Sequence, residues 1–384
     1  KTPAAMSAAE SARRLVANQA YALGGGVGPT SDMFGKHPNL AHAPLVSGVT
    51  VLLRGDALFA TLMLNLLTYN RDSPFEDTGE ADVPAWESDA PPEPGPRAAR
   101  GYLDLLTWQS RCIRLLPEED GVRWMYYAQA ESLDTESRQP EPMWFYRLNR
   151  DSDPVPVRLD PSRALWRNSD SLFALTEAGG LGRERRPLQF NQAARLRRPG
   201  VLSARDLWRC SLIGLANDQA KAICWAHEDL PVPAELLEEE NLVNLLRAAL
   251  EKSESVGSCL RGALDCLTQN LLKPAEPPNA WPQLTKLQKQ DAAHIRDSLQ
   301  GVPRFWESLE LPFKRFLCKL PQDPEPAVAR WVDEAKRLAR RAFDAAAAGA
   351  MGGSARELKA RVTAERHMNQ SLAKITLEPE GGDA

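Results

Sequence analysis

Three sets of residues in this 384-residue chain have types and spacing that could do chemistry: a glycine run, a few histidines and cysteines, and a dense arginine segment. The run Gly24-Gly25-Gly26-Val27-Gly28 suggests a phosphate cradle, in which backbone N–H groups surround an anion. A P-loop needs G-x-x-x-x-G-K-[ST], but the only Gly-Lys pair, Gly35-Lys36, is followed by His37 and has Thr30 where the first glycine belongs. Gly24, Gly26 and Gly28 also miss the G-x-G-x-x-G spacing. Two readings of the run stay open. It is a structural loop using positive φ values, or a bare backbone surface that a ligand approaches closely because no Cβ intervenes. The five histidines (His37, His42, His227, His294, His367) are dispersed and lack the H-x-x-x-H pattern of a helix-borne metal site. The six cysteines include no C-x-x-C pair, which disfavours structural zinc and a disulfide scaffold alike. No G-x-S-x-G elbow occurs. We therefore expect no metal, no cofactor and no catalysis; a hydrolase reading would have to rest on His37 or His42.

The arginines carry the strongest signal. Residues 183–209 hold Arg183, Arg185, Arg186, Arg195, Arg197, Arg198, Arg205 and Arg209 against Glu184 and Asp206, a local charge of +6 in a chain of formal charge −4. The remainder thus carries −10, so the molecule has no general basic field and any nucleic-acid role must be local. Arginine's planar fork of donors suits phosphate contacts; a solvated face or a subunit contact is the other reading. Lys336, Arg337, Arg340 and Arg341 form a second basic stripe at helical spacing, open to the same alternatives.

These residues need elements to position them. Residues 6–21 read as a helix capped by Ser7, and Val49–Leu53 as a strand, with Asp56 able to cap a helix through Tyr69. Residues 71–96 hold eight acids and six prolines and read as a mobile insertion. Val122–Ala128 and Met143–Arg147 read as short strands. Leu212–Leu215 and Ala222–Trp225 flank the polar tetrad Asn217-Asp218-Gln219-Ala220, a hairpin with an exposed tip in which Asn-Asp suits the turn. Beyond Pro231 and Pro233 apolar residues recur at helical period (Leu242, Leu246, Ala249, Val256, Leu260, Leu267; Val328, Val332, Ala335, Leu338; Leu358, Val362, Met368, Leu372), with a further helical segment from about Gln283 to Leu317 interrupted at Pro303 and Pro312. The expected fold class is α+β: an irregular mixed α/β domain over residues 1–230, then a four-helix bundle over 231–384. No apolar stretch reaches the ~20 residues of a membrane span, so a soluble cytoplasmic protein is expected. The missing initiator methionine suggests a fragment of a longer chain.

Leu23–Val27, Val49–Asp56 with Leu64-Asn65-Leu66-Leu67-Thr68, and the tetrad Asn217–Ala220 ahead of a helical bundle occur in an order that resembles the large subunit of the type I-E CRISPR Cascade surveillance complex. The resemblance covers nearly the whole chain. It implies a non-catalytic subunit that recognises the protospacer-adjacent motif (PAM) in target double-stranded DNA, helps to open it, and recruits a helicase-nuclease. Its partners would be the other Cascade subunits and the crRNA complex, with no membrane. Gly24, Gly25 and Gly26 fall on the family's glycine loop, which probes the minor groove, where readout is degenerate. Gln219, flanked by Asn217, Asp218 and Ala220, falls on the family's wedge, which separates the strands at a cost of a few kcal/mol. Where the family places a lysine after an aromatic strand, this chain has Tyr127-Ala128-Gln129-Ala130-Glu131. A purely scaffolding subunit is the alternative.

Overall fold

A computed structural model describes residues 4–26, 39–67, 82–89, 92–134, 141–175, 185–197, 208–272, 285–350 and 352–376. The chain divides into two compact units, Lys1–Leu230 and Pro231–Ala384. The first opens with helix α1 (Ala8–Tyr21), whose cap Ser7 accepts the Glu10 N–H at 3.2 Å, satisfying one orphan donor of the first turn. Strands β1 (Gly25–Gly26) and β2 (Asn39–Leu40) pair antiparallel, a short regular element at the glycine run. After β3 (Thr50–Arg54) comes α2 (Leu58–Asn65), shorter than expected. Ala57 occupies its N-cap with no side-chain bond, so Asp56 does not cap it.

The described part of the segment expected as a mobile insertion, residues 82–89 and 92–96, is bonded to the rest of the unit. Asp82 is buried, and its carboxylate accepts the backbone N–H groups of Leu103 and Asp104 at 3.1 and 2.9 Å. Those are first-turn donors of α3 (Tyr102–Leu106), so one of the acids counted in that insertion is a helix cap. β4 (Gly95–Arg97) then pairs with β7 (Glu131–Leu133). Arg97 bonds Asp104 at 2.6 Å and Glu131 at 2.6 Å, and its guanidinium lies 4.1 Å from the centre of the Trp108 ring.

The remaining elements of this unit are the ribbon β5 (Arg111–Glu118) and β6 (Gly121–Gln129), the pair β8 (Tyr146–Leu148) and β9 (Pro154–Pro156), helices α4 (Ser169–Phe173) and α5 (Leu188–Arg197), and the hairpin β10 (Trp208–Asp218) and β11 (Lys221–Val232). The order of the main sheet is β11-β10-β3, antiparallel, with Leu53 opposite Cys210 and Val51 opposite Leu212. These four are fully buried, as are Phe145, Trp166, Phe173 and Phe190 of the same unit.

The second unit is helical: α6 (Glu240–Leu272), α7 (Lys286–Ser298), α8 (Gly301–Lys319), α9 (Pro324–Gly349) and α10 (Ala355–Ala373). α6 is the central rod, contacting each of the other four. Its Leu246, Val256, Leu260, Leu264 and Leu267 are fully buried, as are Phe305, Leu309 and Phe313 of α8, Ala335 and Phe343 of α9, and Ala364 of α10. The segment from about Gln283 to Leu317, expected as one helix interrupted at Pro303 and Pro312, is two helices, so the described residues of this unit hold five α-helices where a bundle of four was expected. The break falls at Gln300, at φ +54°, rather than at either proline. Pro303 sits in the first turn of α8, where an N–H would have no helical partner, so it is tolerated there. Pro312 removes one internal bond, yet the helix continues, held by Leu309 and Phe313 buried on either side.

Candidate nucleic-acid interface

The hairpin reverses through Gln219 and Ala220. Asn217 and Asp218, expected as turn residues, instead end β10. The physical reason is local: Asn217 Nδ2 donates to the Gln219 carbonyl at 2.8 Å, bracing a turn two residues further on. Gln219 lies at φ +51°, a left-handed conformation uncommon outside glycine. Asp218, Gln219, Ala220 and Lys221 are all exposed.

The glycine strand lies against this tip. A Cβ built on Gly25 would come 2.8 Å from the Ala220 Cβ, and Gly25 itself sits at φ +153°. A Cβ on Gly24 would meet the Leu40 carbonyl oxygen at 2.6 Å and the His42 N at 2.9 Å. Gly26 is exposed, and a Cβ there would meet nothing within 4 Å. The two readings of the run thus divide by residue. Gly24 and Gly25 are needed for close backbone packing, and Gly26 presents bare, open backbone beside the hairpin tip.

Two side chains hold the stems of this loop. Arg111 is 1% exposed, and its guanidinium donates to the carbonyls of Leu23 (3.0 Å), Ala41 (2.8 Å) and Ser110 (2.6 Å), and to the Tyr127 hydroxyl (2.9 Å). It therefore ties both ends of the glycine loop to the β5/β6 ribbon. The Gly24 N–H donates to His42 Nδ1 at 2.9 Å, which needs that nitrogen unprotonated. Partial burial, then Arg158 and Arg111, hold the His42 pKa below its ordinary 6.5, which favours that state. His42 is thus used as a structural acceptor. Beneath the loop, Leu215 of β10 packs with Ala22, Ala43, Val46 and Leu23. Arg111 was not legible as functional from sequence, since nothing in its spacing distinguishes it from a strand-surface arginine. Lys221, the exposed cation next to the tip, directly follows the tetrad and could have been read with it.

The arginine segment does not form one surface. Arg183, Arg198 and Arg205 lie outside the described residues, as does His37. Arg186 is not a surface cation: it is buried at 7% exposure, and its Nε donates to Asn191 Oδ1 at 2.6 Å. Arg185 is half-buried and pairs through its backbone with Tyr146. Arg195 and Arg197, in the last turn of α5, are also half-buried. Arg209 is exposed and stands opposite Arg54 across the sheet. Like charges at such a position repel, and Asp229 compensates. Burial works against ionisation of this carboxyl, but the Ser211 hydroxyl (2.6 Å), His227 (3.0 Å) and Arg54 (3.3 Å) together hold its pKa below the usual carboxylate range.

On α9 of the second unit, Lys336 Nζ donates to the Ile375 carbonyl at 2.7 Å, Arg337 pairs with Glu334, and Arg340 Nε bonds Asn369 Oδ1 at 3.2 Å. Arg341 is exposed. Gln129 ends β6 opposite Arg111. Among the described residues, no group of three or more His, Cys, Asp or Glu is placed to hold a metal, and no helix is long and apolar enough to cross a membrane.

The sequence profile of the CRISPR-associated protein Cse1 family matches residues 1–342. The CRISPR-associated protein CasA/Cse1 of Thermus thermophilus is 29% identical over 382 residues, covering 96% of this chain and 69% of that protein. The crystal structure of Thermus thermophilus CasA shares the fold at a TM-score of 0.78 with 24% identity, over 97% of this chain and 73% of that one. A chain of a CRISPR RNA-guided surveillance complex also shares it, at 0.66 with 20% identity, over 96% and 69%. The mixed α+β unit, the helical unit that follows it and the profile match through 342 residues agree: this chain belongs to the CRISPR-associated protein Cse1 family, the family of the type I-E Cascade large subunit.

Proposed function

We propose that this chain is the non-catalytic DNA-recognition subunit of an RNA-guided surveillance complex. It reads the PAM in target duplex DNA, wedges the strands apart to begin R-loop formation, and helps recruit a helicase-nuclease. One observation carries this reading: the bare glycine strand and the strained Gln219 tip, far apart in sequence, meet at Gly25 and Ala220. Gly26 offers a backbone surface with no side chain to hold a groove away. Gln219 belongs to the two-residue turn whose Ala220 lies against the neighbouring Gly25. A probe of the last motif pair and a wedge beneath it must be adjacent, because opening begins at the pair next to the one recognised. Lys221 at the tip and Arg209 further along β10 are exposed cations suited to the flanking phosphates, and Arg341 offers one in the helical unit.

The test compares the Gln219→Ala complex with the unaltered one on two targets, an intact duplex carrying the motif and a duplex already melted beside it. Opening of the intact duplex, followed by 2-aminopurine fluorescence, should slow at least tenfold, while binding to the melted target stays within twofold. Equal opening rates for the two proteins would remove the wedge.

A further inference from the structure

We infer that α2 is a docking surface for another protein subunit of the complex, one presenting an apolar stripe edged by Lys or Arg. This rests on the functional reading above. The helix is amphipathic in the reverse sense. Its polar residues face inward and are satisfied there: Asn65 Nδ2 donates to the Leu53 carbonyl at 2.7 Å, Asn65 Oδ1 accepts the Leu53 N–H at 2.9 Å, and Thr61 Oγ1 accepts the Gly55 N–H at 3.1 Å. Its apolar residues face outward. Leu58 is 75% exposed, Phe59 72%, Leu62 56%, and Met63 and the following Leu66 are exposed as well; only Leu64 is buried. An amphipathic helix on a free surface shows the opposite arrangement.

The exposed apolar surface does not end with this helix. Leu67, just after it, packs against Tyr102 and Leu105 of α3, whose Leu103 and Leu106 are exposed. Trp86, exposed at 76%, stands on the turn tied to α3 by the bond from Ala85 N to Thr107 Oγ1 (2.9 Å). Scattered exposed leucines need no explanation, but a cluster of large apolar side chains on adjoining elements marks an interaction site.

Charge identifies the occupant. Leu58–Asn65 contains no ionisable residue, so the outward face of the helix itself has no cation to hold a phosphate backbone. Of the exposed charges at its ends, Asp56 before α2 and Glu87 and Asp89 beside Trp86 are acidic, while the cations already face carboxylates: Arg54, at the end of β3, pairs with Asp229 at 3.3 Å, and Arg100, before α3, stands beside Asp104. The acids favour a protein surface with basic flanks. The apolar character is that of a permanent interface, since permanent interfaces are more hydrophobic than transient ones.

The test adds the chain to a guide-RNA-loaded complex assembled without it, and measures incorporation by size exclusion and by interferometry. Phe59→Glu/Leu62→Glu should weaken incorporation at least tenfold, while its thermal midpoint matches the unaltered chain because neither side chain is in the core. The milder Leu62→Gln should lie between. Hydrogen exchange over Leu58–Leu66 should slow on assembly. If the double variant incorporates with unchanged affinity, or incorporates normally and loses only nuclease recruitment, the inference is overturned. Concentration-dependent self-association of the isolated chain that the double variant abolishes would assign the surface to a second copy instead. If the unaltered chain itself fails to join the complex, it is the functional reading that falls.

Discussion

The contact between the glycine strand and the hairpin tip can be tested by adding one methyl group at each of two neighbouring positions. In Gly25→Ala the new Cβ would lie 2.8 Å from the Ala220 Cβ, well inside the ~3.5–4.0 Å optimum for carbon pairs. The backbone there sits at φ +153°, a region that non-glycine residues occupy at a cost of about 1–3 kcal/mol. In Gly26→Ala the methyl meets nothing within 4 Å, and no unfavourable φ is imposed. Because β1 and β2 form a ladder of only two residue pairs, the strand can relieve the overlap by detaching locally, so global melting would understate the effect. Native-state hydrogen exchange is the better assay. At the amides of residues 24–26, 40 and 220–221, a penalty of about 1–3 kcal/mol corresponds to roughly 5- to 150-fold faster exchange in Gly25→Ala. Gly26→Ala should stay within twofold of the unaltered chain. The functional readout inverts the pattern: Gly26→Ala, structurally silent, should still weaken binding to the motif-bearing duplex, because its methyl occupies the surface proposed to face the groove. Equal protection in the two variants would show that Gly25 does not lie against Ala220. Unimpaired duplex binding by Gly26→Ala would place the groove elsewhere.

Arg111→Met removes the donor that serves the carbonyls of Leu23, Ala41 and Ser110, and should destabilise the first unit by about 3 kcal/mol in urea denaturation, since unsatisfied buried acceptors cost about 1–3 kcal/mol each; a loss below about 1 kcal/mol would show that the clamp is dispensable. His42 should titrate below 6.5 by NMR. Its folded pKa is depressed, so its contribution is fully present above the unfolded value and is lost as pH falls through the folded one. The protection factors of loop amides around Gly24, taken against the intrinsic exchange rate at each pH, should accordingly fall in acid, and His42→Asn should blunt that dependence. Lys221→Gln should reduce the slope of log affinity against log salt by about 1, as for one lost phosphate contact. Arg186→Gln, altering a buried side chain, should leave the slope unchanged and lower stability instead.

Helices α6, α9 and α10 of the second unit were readable from the sequence alone, because the apolar period along them is a local property that packing only has to accept. So were the Ser7 cap and the existence of the β10/β11 hairpin. The glycine run, the tetrad and their order were also enough for the family resemblance, although their spacing alone left the role of the glycines undecided. Other features depended on contacts between distant segments. Asp82, read as part of a mobile acidic insertion, became the cap of α3, whereas the turn moved to Gln219-Ala220 through a local bond from Asn217. A count of charges says nothing about exposure, so the arginine segment divided into a buried Arg186, half-buried Arg185, Arg195 and Arg197, and an exposed Arg209. The apolar run from Ala57 to Leu67 has the composition of a core helix, yet Asn65 and Thr61 make the inward bonds and most of the leucines face out. Periodicity records which residues share a face of a helix. Which face turns inward is decided by the surfaces the rest of the chain brings to it, and here only the tertiary structure supplied them.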